Sequence, residues 1–259
     1  HSDLRRQRQM CIRDSFRMQP LDELKTSGQP LLKPRRTLAD EAADALRELI
    51  LLEKLKPGIP VPERDLASVL GISRTPLREA LKILEHEGLV EYSSTRRPFV
   101  ANPSLLELAD LIKIIGALES LAGELACERA NQDEINSIAA LAIEMSEKTD
   151  RIEPLEFFKI DMEFHRQLVA ASRNPALIET HRQYNARLWR ARFVSSRRAT
   201  RRPMTLSQHD QIATSLKERD TQKIAIELRT HLDTTIKNIA EDQEDLSLIH
   251  ISEPTRQKP

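Results

Sequence analysis

Between Leu38 and Val100 the apolar residues recur at helical spacing in three short runs and then at strand-like spacing. Leu38, Ala42, Ala45, Leu46, Leu49 and Ile50 make the stripe of a first helix. Thr37 can cap it, with Asp40 three residues on as an approximate capping box. It ends before the turn Lys56-Pro57-Gly58. A second run, Glu63–Leu70, stops at Gly71, a residue able to take positive φ. Ser73 or Thr75 can cap a third helix that has Pro76 in its first turn. That helix runs to about Glu87, and Gly88 closes it. Leu77, Ala80, Leu81 and Leu84 form its apolar face, while Arg74, Arg78 and Lys82 share the other. Two helices joined by a short Gly-containing turn make a helix-turn-helix, whose second helix can enter a DNA major groove. The strand-like runs Leu89–Tyr92 and Phe99–Val100 flank Ser93–Pro98, which would be a wing.

Asn102-Pro103-Ser104 reads as a hinge, with Pro103 suited to the start of the next helix. From Leu105 to about Glu241 no strand-like alternation appears. The predicted helices are Leu105–Ala130, Gln132–Thr149, Pro154–Ser172, Pro175–Val194, Met204–Glu218 and Thr221–Glu241. Six such helices make a compact bundle. The expected fold class is therefore mainly α: an N-terminal winged helix-turn-helix and a C-terminal all-α bundle of six or so helices.

Charge changes the picture less than placement does. The chain carries 40 basic and 40 acidic residues, and Arg35–Asn102 holds 11 of each. A neutral head binds DNA weakly without sequence reading, so the argument rests on where its Arg residues sit, and dimerisation would supply affinity. With only Cys11 and Cys127, a disulfide framework is not expected and a cytoplasmic setting is. No apolar run approaches about 18 residues, so no membrane span is expected.

The segment ERDLASVLGISRTPLREALKILEHEGLV and its wing resemble the GntR-type winged helix-turn-helix. The resemblance implies DNA contacts at Arg64, Ser73, Arg74, Thr75 and Arg78, with Arg96 and Arg97 of the wing reaching backbone or minor groove. The wing departs from the pattern, because Thr95 or Arg96 stands where the family usually has Gly. The later segments GALESLAGELACERA and DMEFHRQLVAASRNPAL, with HDQI and a final HL, resemble the FCD ligand-binding domain of the FadR subfamily. Together these imply an effector-responsive regulator, a repressor in most such families, acting as a homodimer on palindromic double-stranded operator DNA.

Asp161 and His165 are four apart, so a helix stacks them on one face. His209 and His231 follow on two later helices. Spacing alone leaves these histidines equally readable as polar residues in helix interfaces. The resemblance makes Asp161, His165, His209 and His231 the ligands of a divalent metal, with zinc, nickel, manganese and iron all compatible. A small carboxylate effector would fill its open positions. His181 has no counterpart and reads as a surface residue or as one that supports the ligands from behind. Arg187 and Arg190 lie in an Arg-rich helix and are candidates to hold the effector's carboxylate. Ile114, Ile115 and Gly116 stand where many relatives carry an Arg. A rival reading is a metal-dependent hydrolase or lyase, since Asp and three His can activate water; no separate general base is paired to the group. A third is a dimerisation scaffold with a vestigial sensor.

At the two ends, RRQRQMCIRDS (Arg5–Ser15) and LSLIHISEPTR (Leu246–Arg256) resemble translated sequencing adapters. They are expected to lie outside the fold, which sets aside Arg5, Arg6, Arg8, Cys11, His1 and His250. The expected organisation is 1–34 adapter-like and flexible lead-in, 35–102 winged domain, 103–241 FCD-type effector-binding and dimerisation domain, and 242–259 adapter-like tail.

Overall fold

The computed structural model describes residues 36–149, 151–197 and 199–252, with 199 and 242–252 described by their backbone alone. The N-terminal lead-in and its adapter-like stretch lie outside these residues.

The head opens with α1 (Leu38–Leu51), α2 (Glu63–Leu70) and α3 (Arg74–His86). Gly71 takes φ 66°, and that left-handed turn swings the chain between α2 and α3. Ser73 sits at the N-cap position of α3 with extended backbone, but its hydroxyl makes no capping hydrogen bond. Leu77, Ala80, Leu81 and Leu84 bury the inner face of α3 against Leu46 and Ile50 of α1. The hairpin β1 (Val90–Tyr92) and β2 (Pro98–Val100) pairs antiparallel, Val90 with Val100 and Tyr92 with Pro98. Pro60 adds an isolated bridge to Phe99.

The bundle comprises α4 (Leu105–Arg129), α5 (Gln132–Lys148), α6 (Pro154–Ala171), α7 (Pro175–Ser196), α8 (Arg202–Glu218) and α9 (Thr221–Ser252). A short 3-10 turn, Ala199–Arg201, leads into α8. Its starts are written in the sequence. Ser104 and Glu107 form a reciprocal capping box on α4, as do Asn131 and Glu134 on α5. Asn174 accepts from the Leu177 N–H at the start of α7. Pro103 therefore precedes the cap of α4 and is not part of its first turn. Pro203, expected to break the chain, lies inside the first turn of α8, where its missing N–H costs nothing. α9 runs past the expected end at Glu241 into the adapter-like tail. No Gly or Pro interrupts it before Pro254.

Phe157, Phe164, Leu168, Ile212, Leu216 and Ile224 are among the fully buried side chains of the main core. α4 runs along α9, and small residues set their closeness. A Cβ on Gly123 would lie 2.6 Å from Leu228 Cδ1 and 3.1 Å from Ile224 Cγ1. At the end of α8, Arg219 takes φ 55°. Its guanidinium donates to the carbonyls of Cys127 (2.7 Å) and Ala130 (2.9 Å), closing the C-terminus of α4. Burial pushes the Cys127 thiol up to about 11, so it packs as a small hydrophobe.

Head and bundle belong to one compact unit, Leu38–Pro259. Leu51, at the end of α1, is buried with Phe158, Met162 and Phe193 of the bundle. Beside it Glu53, at φ 57°, accepts from Arg190 at 2.7 Å. Gly123→Val should overpack the α4–α9 contact and cost about 1–3 kcal/mol, read as a lower midpoint in chemical denaturation.

Candidate functional site

The four predicted ligands are all buried and converge. One ligating atom from each of Asp161, His165, His209 and His231 lies within 4.8 Å of the others. α6 supplies Asp161 and His165 one turn apart; α8 supplies His209 and α9 His231. Each ring has its Nδ1 turned to an oxygen. His209 Nδ1 is 2.8 Å from the Thr205 carbonyl, and His231 Nδ1 is 3.0 Å from Gln208 Oε1. Gln208 is itself held by its amide nitrogen donating to Thr234 Oγ1. His165 Nδ1 lies 2.8 Å from Glu119 Oε2. At His209 and His231 the oxygen can only accept, so the proton sits on Nδ1 and the Nε2 lone pair is left for the centre; His165 Nδ1 and Glu119 Oε2 are close but not hydrogen-bonded.

Nothing in the protein occupies those lone pairs. Asp161 Oδ1, His165 Nε2 and His209 Nε2 are buried without hydrogen-bond partners, although His209 Nε2 and Asp161 Oδ1 are only 2.9 Å apart. Unpartnered buried acceptors at that separation are costly unless a cation lies between them. The donor set of three imidazoles and a carboxylate suits a divalent transition metal, so the group could hold one.

The protonation states agree. Burial drives the His165 pKa down against the pull of Glu119, and burial with the neighbouring His209 and His165 drives His231 well down. Both rings are neutral near pH 7, as a metal ligand must be. Burial works to raise Asp161, but contact with His209 and the charges around it outweigh burial and hold the carboxyl below its usual range.

Glu119, fully buried, was missed as a functional residue in the sequence. Its Oε1 meets His181 Nε2 at 3.0 Å and Arg192 Nη1 at 3.6 Å. Burial opposes its charge, yet His165, His181 and Arg192 keep the carboxyl well below the ordinary carboxylate range. The signal was available: Glu119 interrupts the apolar stripe Ile112, Ile115, Ala122, Ala126 of α4. His181 is not on the surface: it is buried and stands behind the ligands, joined to the group through Glu119. Arg187 and Arg190 do not face it. Both line a small gap against the head with Ile50, Gly88 and Leu89, Arg190 is bonded to Glu53, and the Arg187 stem lies where a Cβ on Gly88 would be. They fall on the side of α7 toward the head. Arg192, two residues further round, is the buried arginine directed at the site.

On the head, Arg64, Ser73, Arg74, Thr75, Arg78, Arg96 and Arg97 are all exposed. Arg78 Nε donates to Glu63 Oε2 at 2.9 Å, which holds its guanidinium across the face of α3. Arg96 takes φ 57° at the wing tip. It is the non-Gly residue in the left-handed position where the wing departs from its pattern.

Residues 38–100 match the family described as bacterial regulatory proteins, gntR family, and residues 110–234 match the FCD domain. The Nta operon transcriptional regulator of Aminobacter aminovorans is 34% identical over 188 residues, covering 72% of this chain and 87% of that protein. The chain belongs to the GntR family of bacterial regulatory proteins. The Glc operon transcriptional activator of Escherichia coli (strain K12) is 27% identical, covering 79% of this chain and 90% of that one. Among solved structures, E. coli McbR/YncC shares the fold at TM-score 0.71 and 19% identity, covering 81% of this chain and 100% of that chain. This GntR-family chain is thus a DNA-binding transcriptional regulator with an effector-binding FCD domain. Its family consists of regulators, not enzymes, so the hydrolase or lyase reading falls. No helix among the described residues is long and apolar enough to cross a membrane.

Arg96→Gly should relieve the left-handed backbone and raise stability by up to about 1 kcal/mol, seen as a higher melting temperature. The same substitution should weaken operator binding if the wing arginine reaches DNA.

Proposed function

We propose that this regulator is a cytoplasmic homodimeric repressor of the FadR subfamily whose bundle binds a divalent metal and a small organic acid. The observation that carries the reading is the convergence of three buried imidazoles on the Asp161 carboxylate, with Asp161 Oδ1, His165 Nε2 and His209 Nε2 lacking any protein hydrogen-bond partner. Zinc, nickel, manganese and iron all suit the donor set. When bound, the metal would supply open coordination positions for a carboxylate. Arg192, not Arg187 or Arg190, is the arginine positioned to meet that carboxylate from the protein side.

Two heads would read a palindromic operator, one half-site each. Arg74 and Arg78 near the start of α3 are placed for base edges, where Arg on guanine is the commonest specific contact. Arg64 and the hydroxyls of Ser73 and Thr75 would hold phosphates, and Arg96 and Arg97 would follow the backbone or minor groove. Arg78 must leave Glu63 to reach a base, so Glu63 sets a cost on wrong contacts.

α6 connects the two ends. It carries Asp161 and His165 on one face and Phe158 and Met162, which bury Leu51 of the head, on the adjoining one. An acid seated beside Asp161 and Arg192 would shift α6 and α7 under the head. Coupling of this kind is typically about 1–3 kcal/mol, and requires that the acid bind one head arrangement better than the other.

Arg78→Ala should cost about 1–3 kcal/mol on the operator and relax one base position, measured by binding to a set of singly substituted sites; unchanged affinity would remove it from the recognition surface. His209→Ala should lose bound metal in elemental analysis of the purified protein; equal content in mutant and parent refutes the site. Addition of small organic acids should change operator affinity by about 5–150-fold for the true effector. A broad panel without effect leaves a purely structural metal, or the vestigial sensor.

A further inference from the structure

We infer a second small-molecule site in the cleft between head and bundle, suited to an uncharged, largely apolar molecule that carries a phenolic hydroxyl. The cleft encloses ≈ 640 Å³, within the range of about 300–1,000 Å³ usual for such sites. Its apolar wall comes from both parts of the chain: Leu51 and Leu89 from the head, and Leu155, Phe158, Met162 and Trp189 from the bundle.

The cations around it are already paired. Arg47 is committed to Glu87, Lys159 to Glu156, Arg166 to Glu163 and Arg182 to Glu179. An uncharged occupant leaves these pairs in place and brings no unpaired charge into the apolar wall.

The polar groups select a donor. His181, Asn185 and Trp189 recur at intervals of four along α7 and line the cleft together. His181 Nε2 is 3.0 Å from Glu119 Oε1. A carboxylate only accepts, so Nε2 carries the hydrogen and Nδ1 is the ring atom left for a ligand. Asn185 Oδ1 accepts from Arg192 Nη1 at 3.0 Å, which leaves its NH₂ as the group it can offer. A flat ring packed on Trp189 and Met162 with a hydroxyl toward His181 satisfies that imidazole. The same hydroxyl can accept from Asn185. Such a molecule touches the head at Leu51 and Leu89 and ties it to the bundle. The site differs from the metal group in ligand class, and its existence does not depend on a metal.

Trp189 is the chain's single tryptophan, so its emission reports on the cleft directly. The full-length protein, stripped of metal by chelation and free of DNA, is titrated with para-butylphenol, its methyl ether para-butylanisole, and para-butylbenzoate. A saturable change with the phenol, about 3–10-fold weaker binding of the ether through loss of one hydrogen bond, and weaker binding still of the benzoate are expected. Ala186→Leu, which fills the cleft, should abolish the change while the melting temperature holds. The proposal is overturned by the absence of a saturable signal, by equal affinity for phenol and ether, by benzoate binding as tightly as phenol, or by unaltered binding in a folded Ala186→Leu protein. None of these outcomes bears on metal content, so the two sites fail or stand separately.

Discussion

The organisation of this protein follows from lone pairs that have been taken out of water and given no partner. Asp161 Oδ1 and the Nε2 atoms of His165 and His209 are buried and unbonded, while the opposite nitrogen of each ring is turned to an oxygen. Leaving such groups unsatisfied costs about 1–3 kcal/mol each. A chain whose apolar core could have been completed with leucine keeps that cost at the meeting point of α6, α8 and α9. A divalent cation would turn the cost into binding energy, because the four side chains are already brought together and oriented.

Around that centre the bundle is arranged in rings of support. Glu119 on α4 holds His165 and is itself held by His181 and Arg192 of α7. Gln208 and Thr205 do the same for the rings on α9 and α8. The close seating of α4 on α9 at Gly123 brings Glu119 and His231 to neighbouring levels of one interior. The head is attached at the outer face of the same helices, through Leu51 on Phe158 and Met162 and through Glu53 on Arg190. A change of packing at the centre therefore has a short, contiguous route to the helix that presents Arg74 and Arg78.

Much of this was legible in the sequence because helix signals are local. Gly71 and the Ser104, Asn131 and Asn174 caps mark element boundaries within a residue or two, and a period of four places Asp161 and His165 together. Departures arise where local signals are silent. α7 carries arginines on several faces, and periodicity does not say which face looks inward; the packing of α7 against the head assigns Arg187 and Arg190 outward and Arg192 inward. Glu119 stands in the apolar stripe of α4, and only its complete burial against His165, His181 and Arg192 gives it a role. The helix α9 outruns its expected end because nothing in Glu241–Ser252 stops it. Arg96 takes its left-handed backbone in a local turn, its N–H bonded to the Ser93 carbonyl, at a position where a Gly would carry no strain.

The central claim is that these four side chains grip one divalent ion. X-ray absorption at the metal edge of the purified full-length protein tests it most directly. The account predicts a metal in the protein's sphere with imidazole scattering from three histidines and a carboxylate oxygen, at distances of about 2.0–2.2 Å for zinc. A spectrum showing only water or buffer oxygens, or no metal after equilibration with zinc, nickel, manganese and iron in turn, would contradict it.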